Sequence, residues 1–196
     1  MALADGVRTV ELGGGPFAIQ DAAGQPLTAE QPTWIRLVPV NGNVEVRGLH
    51  ADSVTAGTIR VVGANGGATR FNGRDYPGAI DVLRAGDGLL VINELPLEDY
   101  LMGVVKAEAG ERMPPEMLKA QAVVARTYAA FHRRLNAGKP YQIVAATVHQ
   151  QYAGQVGADS PIWAAVKETE GQVLLWEGDL FPAFYHTDSG GYTEDP

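Results

Sequence analysis

Glu108 stands in the run Ala107-Glu108-Ala109-Gly110, where a stretch with apolar residues Leu97, Leu101, Val104 and Val105 at helical spacing comes to its end. A carboxyl in the last turn of a helix lies at the negative end of the macrodipole, a position that suits a proton donor. The same position also fits a solvated glutamate at a fraying helix end. Further on, Gln121 and Arg126 fall inside an almost wholly apolar run. A buried unpaired charge is costly, so both need partners, either the protein's own groups or a ligand. His186, Asp188 and Ser189 supply the residue types of a nucleophilic triad. Such triads assemble in space from separate positions, however, and no Gly-x-Ser-x-Gly elbow is present. With no cysteine and no His-Glu-x-x-His, the usual zinc patterns are missing.

Two helices must position these groups. The first is predicted over residues 95–109, with Glu98 and Asp99 in its first turn as the dipole favours. The second is predicted over 115–138, with Pro115 at the first helical position and Gly138 as its stop. Met117, Leu118, Ala122, Val124, Ala125, Ala129 and Phe131 leave it almost no polar face, which predicts a buried central helix. Up to about residue 77 the chain reads as short strands separated by turns such as Asn41-Gly42. None of its glycine clusters leads into Lys-Ser/Thr and a helix, which argues against a phosphate-binding loop and for hairpin turns. Residues 79–84 and 89–93 form a hairpin around Gly86-Asp87-Gly88 that feeds straight into the first helix. Ser160-Pro161 caps and opens a third helix that Gly171 ends, and residues 172–176 and 181–186 read as a closing hairpin. The expected class is α+β: N-terminal β-strands and hairpins, a central buried helical hairpin, then a C-terminal helix and β-hairpin. A β-rich part, 1–77, is expected to run on without a linker into a region spanning 78–196.

The composition, 45% hydrophobic and 19% charged over 196 residues, is that of a globular protein with a sizeable core. A net charge of −8 with no basic stripe argues against nucleic acid or an anionic membrane as the main partner. No apolar run is long enough to span a bilayer, and residues 1–6 lack the basic and apolar regions of a signal peptide.

The run from Asn93-Glu94-Leu95-Pro96 to Val105, then Ala107-Glu108, then Leu118-Lys119-Ala120-Gln121 through Arg126-Thr127-Tyr128, closely resembles the SpoIID/LytB family. Gln150-Gln151-Tyr152-Ala153-Gly154 is similar to its Gln-x-Tyr-x-Gly. Phe184-Tyr185-His186 with Ser189-Gly190-Gly191 and Thr193-Glu194 is similar to its Tyr-His-x-x-Ser-Gly-Gly-x-Thr-Glu. The four motifs span about half of the chain. The resemblance implies a lytic transglycosylase that cuts peptidoglycan glycan strands between N-acetylmuramic acid and N-acetylglucosamine, leaving 1,6-anhydro ends. It makes Glu108 the single catalytic acid/base, and places His186, Ser189, Gly190 and Gly191 along the cleft. Gln150, Tyr152 and Arg126 follow as further cleft or supporting residues. It also implies an exported protein of the cell envelope, whose leader would lie outside these residues and whose C-terminal part would continue past Glu194. The same family includes amidase enhancers, so a non-catalytic module that binds glycan or a cell-wall amidase is the competing expectation. Some members hold zinc with His and Cys beside the Gln-x-Tyr motif. Here His149 and His186 alone fall short of a zinc set, so no cofactor is expected.

Overall fold

A computed structural model describes residues 1–50, 53–146, 149–186 and 191. Eleven strands precede three helices among these residues. The strands are β1 (Ala2–Val7), β2 (Val10–Gly13), β3 (Phe17–Gln20), β4 (Trp34–Val40), β5 (Asn43–Arg47) and β6 (Val54–Ala56). They continue with β7 (Thr58–Gly63), β8 (Thr69–Phe71), β9 (Arg74–Tyr76), β10 (Ala79–Ala85) and β11 (Gly88–Glu94). The helices are α1 (Leu97–Glu108), α2 (Pro115–Leu135) and α3 (Pro161–Glu168).

Alternation of apolar and polar residues gives each strand one face to bury, as in Trp34-Ile35-Arg36-Leu37 of β4, where only Ile35 and Leu37 are sealed from water. Two sheets use that face against each other. One has the order β1-β11-β10-β7-β3 and the other β6-β5-β4-β2-β8-β9, with every named pair antiparallel. Ile59, Val61, Ile80, Val82, Leu89 and Val91 of the first sheet share one core with Val10, Leu12, Leu37, Val44 and Val46 of the second. Each such side chain contributes roughly 1.5–3 kcal/mol by leaving water. Strand β10 pairs with β7 as well as β11, so one hydrogen-bonded sheet runs across residue 77. The α+β class expected from the sequence is therefore the class observed.

Strand β11 aims the helices. It is covered on both faces, with Leu90 and Ile92 packing outward under Ala2, Tyr141 and Val144. At its end the fully buried Asn93 donates to the carbonyls of Pro77 (2.8 Å) and Ala79 (2.9 Å), fixing where the chain leaves the sheet. Helix α1 starts at Leu97, two residues later than expected, because Leu95 precedes a proline and is pushed out of helical geometry. Helix α2 stops at Leu135 rather than at Gly138. The Asn136 amide donates to Gln142 O (2.9 Å), a bond that competes with another helical turn. Its burial is also less complete than its composition predicts: the central turns from Leu118 to Ala129 carry the buried residues, while Met117 and Leu135 near its ends are exposed.

The closing hairpin is corrected to a single bridge. Trp176 and Asp179 exchange two 2.9 Å hydrogen bonds around Glu177-Gly178, and no strand extends from that turn among the described residues. Backbone groups that would pair are used elsewhere: Leu174 N–H donates to Thr127 Oγ1 (2.9 Å) and Gln172 O accepts from Arg126 (3.1 Å). The segment is strapped to α2 instead of to 181–186.

Candidate active site

Glu108 is the last residue of α1, partly buried, and its Oε1 accepts a 2.7 Å hydrogen bond from the Gln151 backbone N–H. The segment that supplies this donor is held at several points. Gln150, fully buried, accepts from the Tyr100 hydroxyl (2.9 Å) and donates to Ala125 O and to the Tyr185 hydroxyl, both at 3.3 Å. Ala153 N–H donates to Gly103 O (3.0 Å), Arg74 donates to Tyr152 O (2.8 Å), and Gln155 N–H donates to Asp75 O (2.7 Å). Residues 150–155 thus tie α1, α2 and β9 together.

Tyr152 fixes the register of that tie. Its ring lies between Tyr100 of α1 (centroids 5.5 Å apart) and Tyr76 of β9 (6.0 Å), both in stacked orientation. Gly103 makes this possible, since a Cβ there would overlap the Tyr152 ring. Gly154 is needed for a second reason: its φ of +80° and its close approach to Asp75 O suit only a residue without a side chain. Burial raises the Tyr100 and Tyr152 hydroxyls well above the usual phenol range, so both stay protonated.

Tyr185 faces Glu108. Burial raises its hydroxyl above the ordinary phenol range, the hydrogen bond from Gln150 opposes that, and the Glu108 carboxylate raises it further. A neutral phenol beside the acid can donate a hydrogen bond to it or to a bound molecule. His186 follows directly and is exposed. Gly191 is exposed also, while Ser189 and Gly190 lie outside the described residues.

The sequence-predicted site residues therefore divide. Glu108 and His186 reach solvent. Gln150 (0% exposed), Tyr152 (3%) and Arg126 (1%) face the protein. The Arg126 guanidinium grips both oxygens of Glu98 (2.9 and 2.7 Å) and donates to Gln172 O and Val166 O, joining α1, α2 and α3. Sequence reasoning passed over two participants. Tyr185 stood in the Tyr-His motif without being given a role, and the Gln151 N–H is a backbone donor with no sequence signature.

Beside this network Tyr128, His132, His149 and Phe184 form an aromatic cluster, with the Tyr128 hydroxyl 3.0 Å from His149 Nδ1. Burial, aided by the nearby His149, lowers the His132 imidazole below its ordinary value. His149 is engaged with Tyr128, and among the described residues no three His, Cys, Asp or Glu side chains converge.

Residues 85–176 match the family model described as SpoIID, Stage II sporulation protein. An uncharacterised protein of Brachyspira hyodysenteriae is 36% identical over 125 residues, covering 63% of this chain and 34% of its own. Stage II sporulation protein D of Bacillus amyloliquefaciens is 30% identical over 139 residues, covering 62% of this chain and 39% of its own. The amidase enhancer of Bacillus subtilis is 37% identical over 94 residues, 48% of this chain and 12% of its own. The family model and these relatives support a likeness to the SpoIID/LytB family over residues 85–176, somewhat under half of the chain. It spans between about a third and two fifths of the length of the first two of these relatives. No solved structure matches.

Proposed function

We propose that the chain carries a lytic transglycosylase of the cell wall, acting on peptidoglycan glycan strands with Glu108 as its one acid/base. The observation that carries this reading is Glu108, the carboxylate that the 150–155 segment binds among the described residues. Glu108 ends α1, reaches solvent, and is fixed in orientation by the Gln151 N–H. Ordinary glycosidases pair two carboxyl groups, one serving as nucleophile or as base for water. A transglycosylase needs only one. Its protonated carboxyl gives a proton to the glycosidic oxygen as the bond to C1 breaks. The resulting carboxylate then takes the proton of the sugar's own C6 hydroxyl while that oxygen bonds to C1. The anhydro ring closes, no water is consumed, and the acid returns to its starting form. Tyr185 would steady the carboxyl between these two steps, and His186 would meet the sugar from the exposed side. An exported, cell-envelope location accords with this role.

The test is incubation of wild type and Glu108→Gln with purified glycan strands, with and without stem peptides, read by mass spectrometry for 1,6-anhydro ends. General acid catalysis typically supplies about 10²–10⁴-fold, and the variant should lose that much. Strand binding without anhydro products would instead support the second reading, a glycan-binding module that assists a cell-wall amidase. That reading is favoured by the similarity to the amidase enhancer.

A further inference from the structure

We infer that the cavity between the β8–β9 turn and α3 is a second glycan subsite, with Trp163 as its sugar-stacking wall; the inference rests on the function proposed above. The cavity holds about 490 Å³ and is lined by Arg74, Asp75, Gln155, Val156 and Trp163 among others. Trp163 stands in the first turn of α3 and is 38% exposed, although α3 offers Ile162, Ala165 and Val166 to the core. The Arg74 guanidinium is held by Tyr152 O (2.8 Å) and the Asp75 carboxylate by Arg70 (2.7 and 3.0 Å). That leaves the exposed Gln155 beside the open ring of Trp163, an apolar and polar pairing that suits a pyranose. The ring covers the C–H face, and the amide reaches the hydroxyls and acetamido groups at the edge.

Continuity with Glu108 decides in favour of a polymer. Residues 151–157 leave Glu108 at Gln151, pass Gly103 at Ala153, and reach Asp75 at Gln155 before bordering the cavity at Val156 and Gly157. Gly103 and Glu108 are five positions apart on α1, about 7.5 Å along its axis. An extended chain from Gln151 to Gly157 spans at most about 20 Å. The acid and the cavity that Trp163 lines thus lie at the two ends of one short segment, 151–157. A strand bound at Glu108 and continued along 151–157 would set a later sugar against Trp163.

The experiment measures binding of purified, peptide-free glycan strands of graded length in a Glu108→Gln background, where nothing is cut. Added Trp163→Ala should weaken binding of long strands about tenfold, the scale of one lost stacking contact, and leave the shortest fragments unaffected. Trp163→Phe should restore most of the loss, and Gln155→Ala should weaken long strands in the same selective way. Strand addition should also change tryptophan fluorescence, and Trp163→Phe should abolish that change. Unfolding temperatures of all variants provide the check on folding. Equal affinity of Trp163→Ala and Gln155→Ala for every length overturns the subsite while leaving the Glu108 site intact. Weakening seen only with strands that carry stem peptides also overturns it, in favour of a peptide pocket. If the parent protein binds no strand of any length, the proposed function falls first and the subsite with it.

Discussion

Replacing Arg126 by methionine removes a cation that is 1% exposed and leaves its partners behind. The Glu98 carboxylate loses two hydrogen bonds, and the carbonyls of Gln172 and Val166 lose one each. Breaking a buried pair from one side costs roughly 3–5 kcal/mol, because the remaining charge is left uncompensated. The Glu98 side chain is 28% exposed, so water can recover part of its solvation, and the lower end, about 3 kcal/mol, is the better figure. For a chain of this size that corresponds to a fall of about 6–12 °C in the unfolding midpoint. Methionine fills much of the vacated volume, so the loss reports the ion pair and its carbonyl bonds and not a cavity. The assay is thermal unfolding by circular dichroism, alongside glycan binding by the folded fraction, which should be unchanged. A midpoint within about 2 °C of wild type would refute the reasoning. So would a stable variant that no longer binds glycan, since Arg126 would then be serving the ligand.

Three further outcomes follow from the same contacts. Gly103→Ala drives a methyl into the Tyr152 ring, and overpacking of this kind costs about 1–3 kcal/mol; urea unfolding should show it, with a parallel loss of activity as residues 150–154 shift. Tyr185→Phe keeps the ring but removes the hydroxyl between Gln150 and Glu108; strand cleavage should slow about tenfold with little change in the unfolding midpoint. His132, held below its ordinary value of 6.5, makes the folded protein bind fewer protons than the unfolded chain below that pH. Its contribution to stability is therefore complete above about pH 6.5 and lost as pH falls toward the lowered value, so midpoints of His132→Gln should vary less than those of wild type between about pH 7 and 5.

Local signals were legible in the sequence and distant partners were not. Ser160 before Pro161 marked the start of α3, and its hydroxyl does accept from Ile162 N–H. Asn41-Gly42 marked the turn between β4 and β5, and both residues have positive φ. Leu95 was misread because helical spacing of leucines outweighed the constraint of the following proline. Arg126 announced that it needed a partner, but Glu98 lies on another helix and only packing brings it near. The turn at Glu177-Gly178 was readable, whereas its strands were not, because they lost their backbone groups to Thr127 and Arg126. At the site, Glu108 could be found from its motif and helix position. Its donor from Gln151 could not, since every residue but proline carries the same N–H. Strand order was beyond reach for a related reason: similar alternating runs can pair in many ways, and closure of the two sheets selects among them.

The sheet that crosses residue 77 sets the terms on which this machinery can be borrowed. The stretch that matches the family begins at residue 85, the final residue of β10, and so divides a hairpin. Cut there, β11 would lose β1 on one side and most of β10 on the other, and Asn93 would lose the two carbonyls that aim the chain toward α1. Tyr152 would lose Tyr76, and the tie through Asp75 would vanish with β9. A graft of Glu108 into another protein must therefore carry its rootstock: both sheets travel with the acid, or its orientation does not survive the transplant.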